Sequence, residues 1–150
     1  MKVPTPYQGN ESYIFAGFAP ADADAVLEMI AVMQENGFRV WFEQPGSPGG
    51  RTEEIACKLQ NCGCFISFLS ERWLASARCD YETSYARALG KDRLLVYLEA
   101  LELPIALKLR LGRLRAIHRY RYLHENEFYE TLFEADEVRP YRAQPPAGTP

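Results

Sequence analysis

The sequence predicts an α/β domain of three layers, with a five-stranded parallel sheet between two layers of helices. Short apolar runs, rich in aromatic and β-branched residues and of the length of buried strands, recur along the chain. Between them lie segments whose apolar residues recur at helical spacing, and glycines and prolines fall at the junctions. Strands that alternate with helices favour a parallel sheet covered on both faces.

The first strand and helix are predicted from residues 12–36. Residues 12–16 form a β-like run that Gly17 breaks, and Asp22 is placed to cap the next helix. That helix extends to about Asn36, and Gly37 is its expected stop.

The second strand is predicted over residues 38–43. Five of the seven residues 44–50 are Pro or Gly, which indicates a loop rather than a regular element. A helix follows from about Thr52, with Ile55 and Leu59 on its buried face.

Residues 62–82 are the most informative stretch. The apolar run 64–69 has the length of a buried strand, and Ser70 after it can cap a helix. Apolar residues then recur every four positions, which predicts one helix with Glu82 offset from its apolar face. That face consists of Trp73, Ala77, Tyr81 and Tyr85. Polar residues after such a strand lie at the carboxyl end of the sheet, where open α/β sheets bind ligands.

The last third of the chain supplies two more strands. Residues 93–98 are predicted to form a buried strand, and residues 101–114 a short Leu-rich helical piece broken by Pro104. Residues 115–122 alternate weakly as a fifth strand, and residues 127–135 form the last helix. We predict a leader over residues 1–11, one domain over 12–136 and a proline-rich tail or linker over 137–150.

Composition excludes several classes of protein. With 150 residues, 47% of them hydrophobic and 13% aromatic, the chain is expected to form one globular domain. The net charge of −3 argues against a nucleic-acid binder, and no apolar stretch approaches the ~18 residues of a membrane span. The N-terminus lacks the apolar core of a signal peptide, so we expect a cytoplasmic protein that does not bind a membrane.

The cysteines and the charges each leave two interpretations. The four cysteines are expected to be reduced, and Cys57, Cys62 and Cys64 favour core packing over a metal site because paired C-x-x-C knuckles are absent.

A basic block over residues 108–121 precedes an acidic block over 125–137. The block is either a phosphate or nucleic-acid patch or, as we favour, a basic face neutralised by its acidic neighbours.

Four stretches in order resemble the Toll/interleukin-1 receptor (TIR) domain, and more closely its bacterial branch. Residues 13–19 resemble the first box, F-[IV]-S-Y, and residues 37–43 resemble G-x-x-V-[WF]-[YF]-D. The loop 44–50 corresponds to the family's BB loop, and residues 68–82 match F-[LI]-S-x-x-[YW]-x-x-S-x-x-C-x-x-E. The resemblance implies a flavodoxin-like fold. Gly17 stands where the family usually has Ser, and Arg78 where many members carry Trp.

The resemblance implies that Glu82 is a catalytic residue that cleaves NAD between nicotinamide and ribose. Ordinary glycosidases need two carboxylates, but nicotinamide leaves a cationic pyridinium as a neutral molecule and needs no general acid. One negative charge beside the ribose suffices, with no metal and no cofactor other than NAD as the substrate. On the residues alone, Glu82 would be a surface carboxylate paired with Arg78 and kept ionised by it.

The resemblance also implies the surroundings of the site. Residues expected to bind NAD are Ala16, Gly17, Phe18, Ala19, Trp41, Ser70, Trp73, Ser76 and Cys79. Core packing is the favoured interpretation of the two tryptophans and an equal alternative for Phe18, and helix capping is the alternative for the two serines. The self-association loop consists of Pro45, Gly46, Pro48, Gly49 and Gly50.

Three functions compete. The first is a self-assembling NAD+ glycohydrolase in bacterial antiphage signalling or NAD depletion, whose product, ADP-ribose or a cyclic isomer, stays open. The second is a non-enzymatic TIR scaffold that binds other TIR domains. The third, a flavodoxin-like receiver or nucleotide enzyme, needs a Gly-rich or acidic cluster after the first strand, where only Gly17 and Asp22 stand. A downstream sensor or effector is a possible further partner.

Overall fold

Five parallel strands form one sheet in the order β2-β1-β3-β4-β5 in the computed structural model, which describes residues 3–45 and 52–143. The strands are β1 (Ile14–Gly17), β2 (Val40–Trp41), β3 (Cys64–Leu69), β4 (Asp92–Tyr97) and β5 (Arg115–His118). The helices are α1 (Ala23–Glu35), α2 (Thr52–Asn61), α3 (Glu71–Leu74), α4 (Ala77–Ala88), α5 (Ile105–Leu111) and α6 (Glu125–Glu134). Three short 3-10 turns add Pro20–Asp22, Arg119–Arg121 and Arg139–Tyr141. The predicted α/β fold with five parallel strands is confirmed.

Alternate residues of the buried strands divide the core between the two faces of the sheet. Ile66 and Phe68 of β3 pack in one cluster with side chains of α1 and α6, whereas Phe65 packs in another with Ile55 and Leu59 of α2. Leu69 joins a third cluster with side chains of α3 and α5. This arrangement gives the three predicted layers.

The prediction of one helix after Ser70 is wrong. Two helices follow, because Ser76 adopts an extended backbone (φ −92°, ψ 116°) and begins α4 anew. The Ser70 hydroxyl accepts from the Trp73 amide (3.1 Å), and the Ser76 hydroxyl accepts from the Cys79 amide (3.2 Å). The break shifts the helical frame, so the buried face of α4 carries Cys79, Glu82, Thr83 and Ala86 instead of Ala77, Tyr81 and Tyr85.

The edge of the sheet differs from the prediction as well. Only Val40 and Trp41 of the predicted strand 38–43 pair with β1. Phe38 forms an isolated antiparallel bridge with Arg142 instead. The described parts of the predicted leader and tail are hydrogen-bonded to the domain. The Tyr7 amide donates to the Val40 carbonyl (2.9 Å), and the Ala143 amide donates to the Gly37 carbonyl (2.7 Å). The domain limits at residues 12 and 136 stay a prediction.

Several side chains of the basic block pair with acids, as the neutralised-face interpretation expects. Arg115 contacts Glu137 (3.0 Å), and Arg119 contacts Glu125 (3.4 Å). Within the described ranges, no helix is long and apolar enough to cross a membrane.

Candidate active site

Helix α4 directs the side chain of Glu82 into the interior of the domain, against the end of β1. The side chain is only 3% exposed, and a Cβ atom on Gly17 would lie 3.2 Å from its Oε1 atom. Gly17 is the last residue of β1 rather than the break predicted there, and it pairs with Ser67 of β3. Glu82 is therefore close to the end of β1, and a larger residue at position 17 would crowd its carboxylate.

Arg78, one helical turn before Glu82, connects three parts of the site. Its Nη1 atom lies 2.9 Å from Oε2 of Glu43, just after β2, and its Nη2 atom donates to the carbonyl of Phe18 (3.2 Å). Its Nε atom lies 3.7 Å from Oε2 of Glu82. The expected i,i+4 pair exists, but its carboxylate lies in the interior and not on the surface.

Burial raises the pKa of Glu82 from its ordinary value of 4.5 to about 8. The positive charge of Arg78 opposes this shift, and the negative charge of Glu43 adds to it. The expectation that Arg78 would keep Glu82 ionised at neutral pH is therefore wrong, because desolvation outweighs one ion pair at 3.7 Å. The free site holds a largely protonated carboxyl group.

Comparison with known proteins identifies the family. A family model described as "TIR domain" matches residues 14–134 of the chain. The chain belongs to the TIR domain family.

Several solved structures share the fold of this TIR domain. The TIR domain of the Toll-related receptor TRR-2 from Hydra magnipapillata has a TM-score of 0.65 at 16% identity, over 80% of this chain and 94% of that one. The Clostridium botulinum CMP N-glycosidase BcmB has a TM-score of 0.58 at 21% identity, over 81% and 98%. The TIR domains of the activated Roq1 resistosome, which recognises the pathogen effector XopQ, have a TM-score of 0.53 at 14% identity. The match covers 87% of this chain and 75% of that one. A search of curated proteins finds no match.

The structure brings part of the predicted NAD-binding set of the TIR domain to Glu82. Gly17 faces the carboxylate of Glu82. The carbonyl of Phe18 accepts a hydrogen bond from Arg78. The ring of Phe18 packs in the core, with its centroid 6.5 Å from that of the Phe42 ring. Cys79 and Ala19 are buried together in a neighbouring cluster, and burial raises the pKa of the Cys79 thiol to about 11. This thiol is therefore protonated at neutral pH and is no nucleophile.

The other predicted residues serve packing or capping in the described structure. Ala16 and the two tryptophans are nearly fully buried in core clusters, and Trp41 lies 5.0 Å from the ring of Phe15. Ser70 and Ser76 are helix caps. Trp41 and Trp73 nevertheless each line a surface cleft, beside Glu43 and beside α5, respectively.

Glu43 and Asp22 are polar residues of the site region that the sequence prediction missed or misplaced. Glu43 lines the cleft beside Trp41 and also contacts Arg78. The signal in the sequence that could have identified Glu43 is a charged residue at the end of the predicted second strand. Asp22 occupies the N-cap position of α1, as predicted, but its side chain makes no capping hydrogen bond. Its carboxylate accepts from the Ser70 hydroxyl and from Nε of Arg72 (2.5 Å).

Two further predictions concern the loop and metal binding. Of the self-association loop, only Pro45 belongs to the described residues; Gly46, Pro48, Gly49 and Gly50 lie outside them. Cys62 and Cys64 are buried in the core, as predicted, but the same prediction is wrong for Cys57, which is exposed. Within residues 3–45 and 52–143, no cluster of three or more His, Cys, Asp or Glu side chains is placed to hold a metal ion.

Proposed function

We propose that this TIR domain is an N-glycosidase that cleaves the bond between nicotinamide and ribose in NAD+, with Glu82 as its catalytic carboxylate. The observation that carries the proposal is the inward carboxylate of Glu82, set against the end of β1 at the edge of the sheet where α/β folds bind ligands. Buried carboxyl groups with strongly shifted pKa values are concentrated at functional sites.

The chemistry needs one carboxylate. As the bond between the ribose carbon C1′ and the pyridinium nitrogen breaks, its electron pair goes to the nitrogen, and nicotinamide leaves as a neutral molecule. Positive charge then develops on the ribose, and a carboxylate in a site of low dielectric stabilises it. Water attacks C1′ and gives ADP-ribose, with its proton passing to Glu82 or solvent; attack by an adenine nitrogen gives a cyclic isomer.

The raised pKa of Glu82 fits a cationic substrate. In the free protein the carboxyl group is largely protonated at neutral pH because it is buried. A pyridinium ring beside it lowers its pKa, since an opposite charge within a few ångströms favours the ionised form. Substrate binding thus produces the carboxylate that the reaction uses.

Two of the similar structures support related activities, although neither is described as acting on NAD+. BcmB, a CMP N-glycosidase, shares the fold, so the fold supports cleavage of N-glycosidic bonds in nucleotides. The Roq1 resistosome contains TIR domains in an assembly, which supports self-association as part of the proposed activity. The biological setting we propose is bacterial antiphage signalling or NAD depletion.

A scaffold function is the second candidate, and the closed state of the site favours it. Glu82 is almost fully buried beside Arg78, so a ligand reaches it only after a side chain moves. A domain that only binds other TIR domains needs no access to Glu82.

The test compares NAD+ cleavage by the wild-type protein, Glu82→Gln and Asp80→Asn, with products resolved by mass spectrometry. Asp80 is an exposed carboxylate on the same helix and is the matched control. We expect nicotinamide release by the wild type and by Asp80→Asn, and a loss of at least about a hundredfold in Glu82→Gln. Full activity in Glu82→Gln would exclude Glu82 as the catalytic group, and no cleavage by the wild type, with intact binding to other TIR domains, would favour the scaffold.

A further inference from the structure

A cavity lies between the start of α4 and helix α5. Its volume is about 390 Å³, within the range of pockets that bind small molecules. Trp73 and Leu107 line it and pack in one cluster with Leu95 of β4, whereas Glu82 lies against the end of β1. Strand β3 separates β1 from β4 in the sheet, so the cavity is a site separate from Glu82.

Apolar side chains form most of the cavity wall, which suits a ligand with an apolar body. The two charged residues of the lining, Asp80 and Arg110, are exposed and contact each other at 3.8 Å. Their pair therefore adds no net charge to the cavity. The apolar part of the lining includes Trp73, Leu74, Ala77, Pro104, Ala106 and Leu107.

Trp73 brings to the cavity a hydrogen-bond donor that has no acceptor. The residue is only 3% exposed, and its indole Nε1 atom is buried without a hydrogen-bond partner among the described residues. A buried N–H group without an acceptor is costly, and most such groups in folded proteins are paired. An acceptor atom of a ligand in the cavity would supply the missing partner.

The start of α4 supplies two more donors. The Ser76 hydroxyl accepts from the Cys79 amide (3.2 Å), and the Ser76 carbonyl accepts from the Asp80 amide (3.1 Å). The amides of Ala77 and Arg78 have no intrahelical acceptor, as in the first turn of any α-helix. Ser76 and Ala77 line the cavity, so the positive end of the helix dipole favours an anionic group there.

We propose that this cavity binds a small organic carboxylate, whose apolar body lies between α4 and α5 and whose carboxylate accepts from the Trp73 indole and the start of α4. A singly charged group fits better than a phosphate dianion, because the pair of Asp80 and Arg110 leaves no net positive charge to balance a second negative one. The sequence predicts Trp73 at the NAD site. This inference assigns its indole to a separate ligand and does not depend on the proposed function.

The test follows the indole N–H resonances of the full chain by NMR while a probe is added. The chain has only two tryptophans, so Trp41 provides an internal reference that should not shift. Phenylacetate is the carboxylate probe; phenylacetamide and 2-phenylethylammonium carry the same ring with a neutral and a positive group. Phenylacetate should shift the Trp73 resonance with a dissociation constant on the order of 1 mM. The amide should bind at least about threefold more weakly, and the cation should give no saturable shift.

Two variants change the cavity at single positions. Ala106→Phe, at an exposed position of α5 that lines the cavity, should fill it and abolish binding. Leu109→Phe is the matched control, because Leu109 is exposed on the same helix outside the lining. Trp73→Phe keeps an aromatic ring but removes the N–H group, so it should weaken phenylacetate binding about three- to tenfold, read from the Ala77 amide resonance. Leu109→Phe and Glu82→Gln should bind phenylacetate as the wild type does.

An unchanged Trp73 resonance, equal binding of the three probes, or wild-type affinity in Ala106→Phe would overturn this inference. Loss of binding in Glu82→Gln would do so too, since it would place the probe at the NAD site. A Trp73 resonance that shifts with protein concentration alone would show that a second copy of the chain fills the cavity, which also contradicts the inference. If Trp73→Phe does not fold, the exposed Ala106→Phe decides the question. Binding that Ala106→Phe abolishes would support the inference whether or not the protein cleaves NAD+.

Discussion

The carboxylate of Glu82 lies directly against the backbone of Gly17, at the end of the first strand. A Cβ atom at position 17 would stand 3.2 Å from Oε1 of Glu82 and 2.9 Å from Cζ of Phe65. Glycine thus permits the close approach of helix α4 and its buried carboxyl group to the sheet.

Gly17→Ala should lower NAD+ cleavage by at least about tenfold, because the methyl group displaces the Glu82 carboxylate from the position that we propose for it beside the reacting carbon. It should also lower the free energy of unfolding by about 1–3 kcal/mol, since the methyl group overpacks the site against Phe65. Steady-state kinetics and urea unfolding measure the two effects.

The double variant Gly17→Ala/Phe65→Leu separates these effects. A leucine at position 65 makes room for the methyl group and should recover part of the lost stability. Activity should stay low, because the contact with Glu82 persists. Recovery of full activity together with stability would show that position 17 acts through packing alone.

The pH dependence of stability should carry the signature of Glu82. In the unfolded chain this group ionises near pH 4.5, and in the folded protein near pH 8, because burial raises its pKa. The folded state therefore binds more protons between these values, and Glu82 makes the protein less stable as pH rises through that window. Relative to the wild type, Glu82→Gln should gain stability up to pH 8, by at most about 1.4 kcal/mol per pH unit. Urea unfolding at several pH values measures the difference; a constant difference would contradict the raised pKa.

The pH dependence of catalysis should differ between the free and the substrate-bound protein. kcat/KM reports the free protein and should rise with pH until about 8, where Glu82 ionises. The kcat profile should be shifted to lower pH, because the bound pyridinium lowers the pKa of Glu82. Arg78 and Glu43 are the charged groups that shift the pKa of Glu82, and the neighbouring Cys79 thiol keeps its proton until about pH 11. Superimposable profiles would contradict ionisation induced by the substrate.

The carboxylate of Asp22 should stabilise the carboxyl edge of the sheet. It accepts from the Ser70 hydroxyl and from Arg72, which in turn contacts Glu99 after β4 (2.6 Å). Asp22→Ala leaves Ser70 without this bond in a buried setting and should cost about 1–3 kcal/mol. Thermal or urea unfolding measures the loss. Asp24→Ala is the control, because Asp24 is exposed in the first turn of α1. Equal losses in both variants would argue against the Asp22 network.

Strand and helix order could be predicted because each element carries its own periodic pattern. The run 64–69 is β3, and the helix predicted from Thr52 is α2. The break at Ser76 could not be predicted, because Ala77, Tyr81 and Tyr85 continue the period of Trp73. A new helix begins at this point because the Ser76 hydroxyl accepts a hydrogen bond from the Cys79 amide.

The sequence motif identified Glu82 as the candidate catalytic residue, but not its environment. A carboxylate four residues from an arginine ordinarily lies at the surface of a helix, and nothing in that spacing indicates burial. The raised pKa and the contact with Gly17 follow from how α4 packs on β1, which is a long-range relationship. Glu43 was missed for the same reason, since it comes to Arg78 from a distant part of the chain.

The most direct test of the account is the rate of NAD+ cleavage per molecule, measured in parallel for the wild type and Glu82→Gln across a series of protein concentrations. We expect the wild-type rate per molecule to rise with concentration as the domain self-associates, while Glu82→Gln stays at background throughout. Equal rates in the two proteins, or no cleavage by the wild type at any concentration, would contradict it.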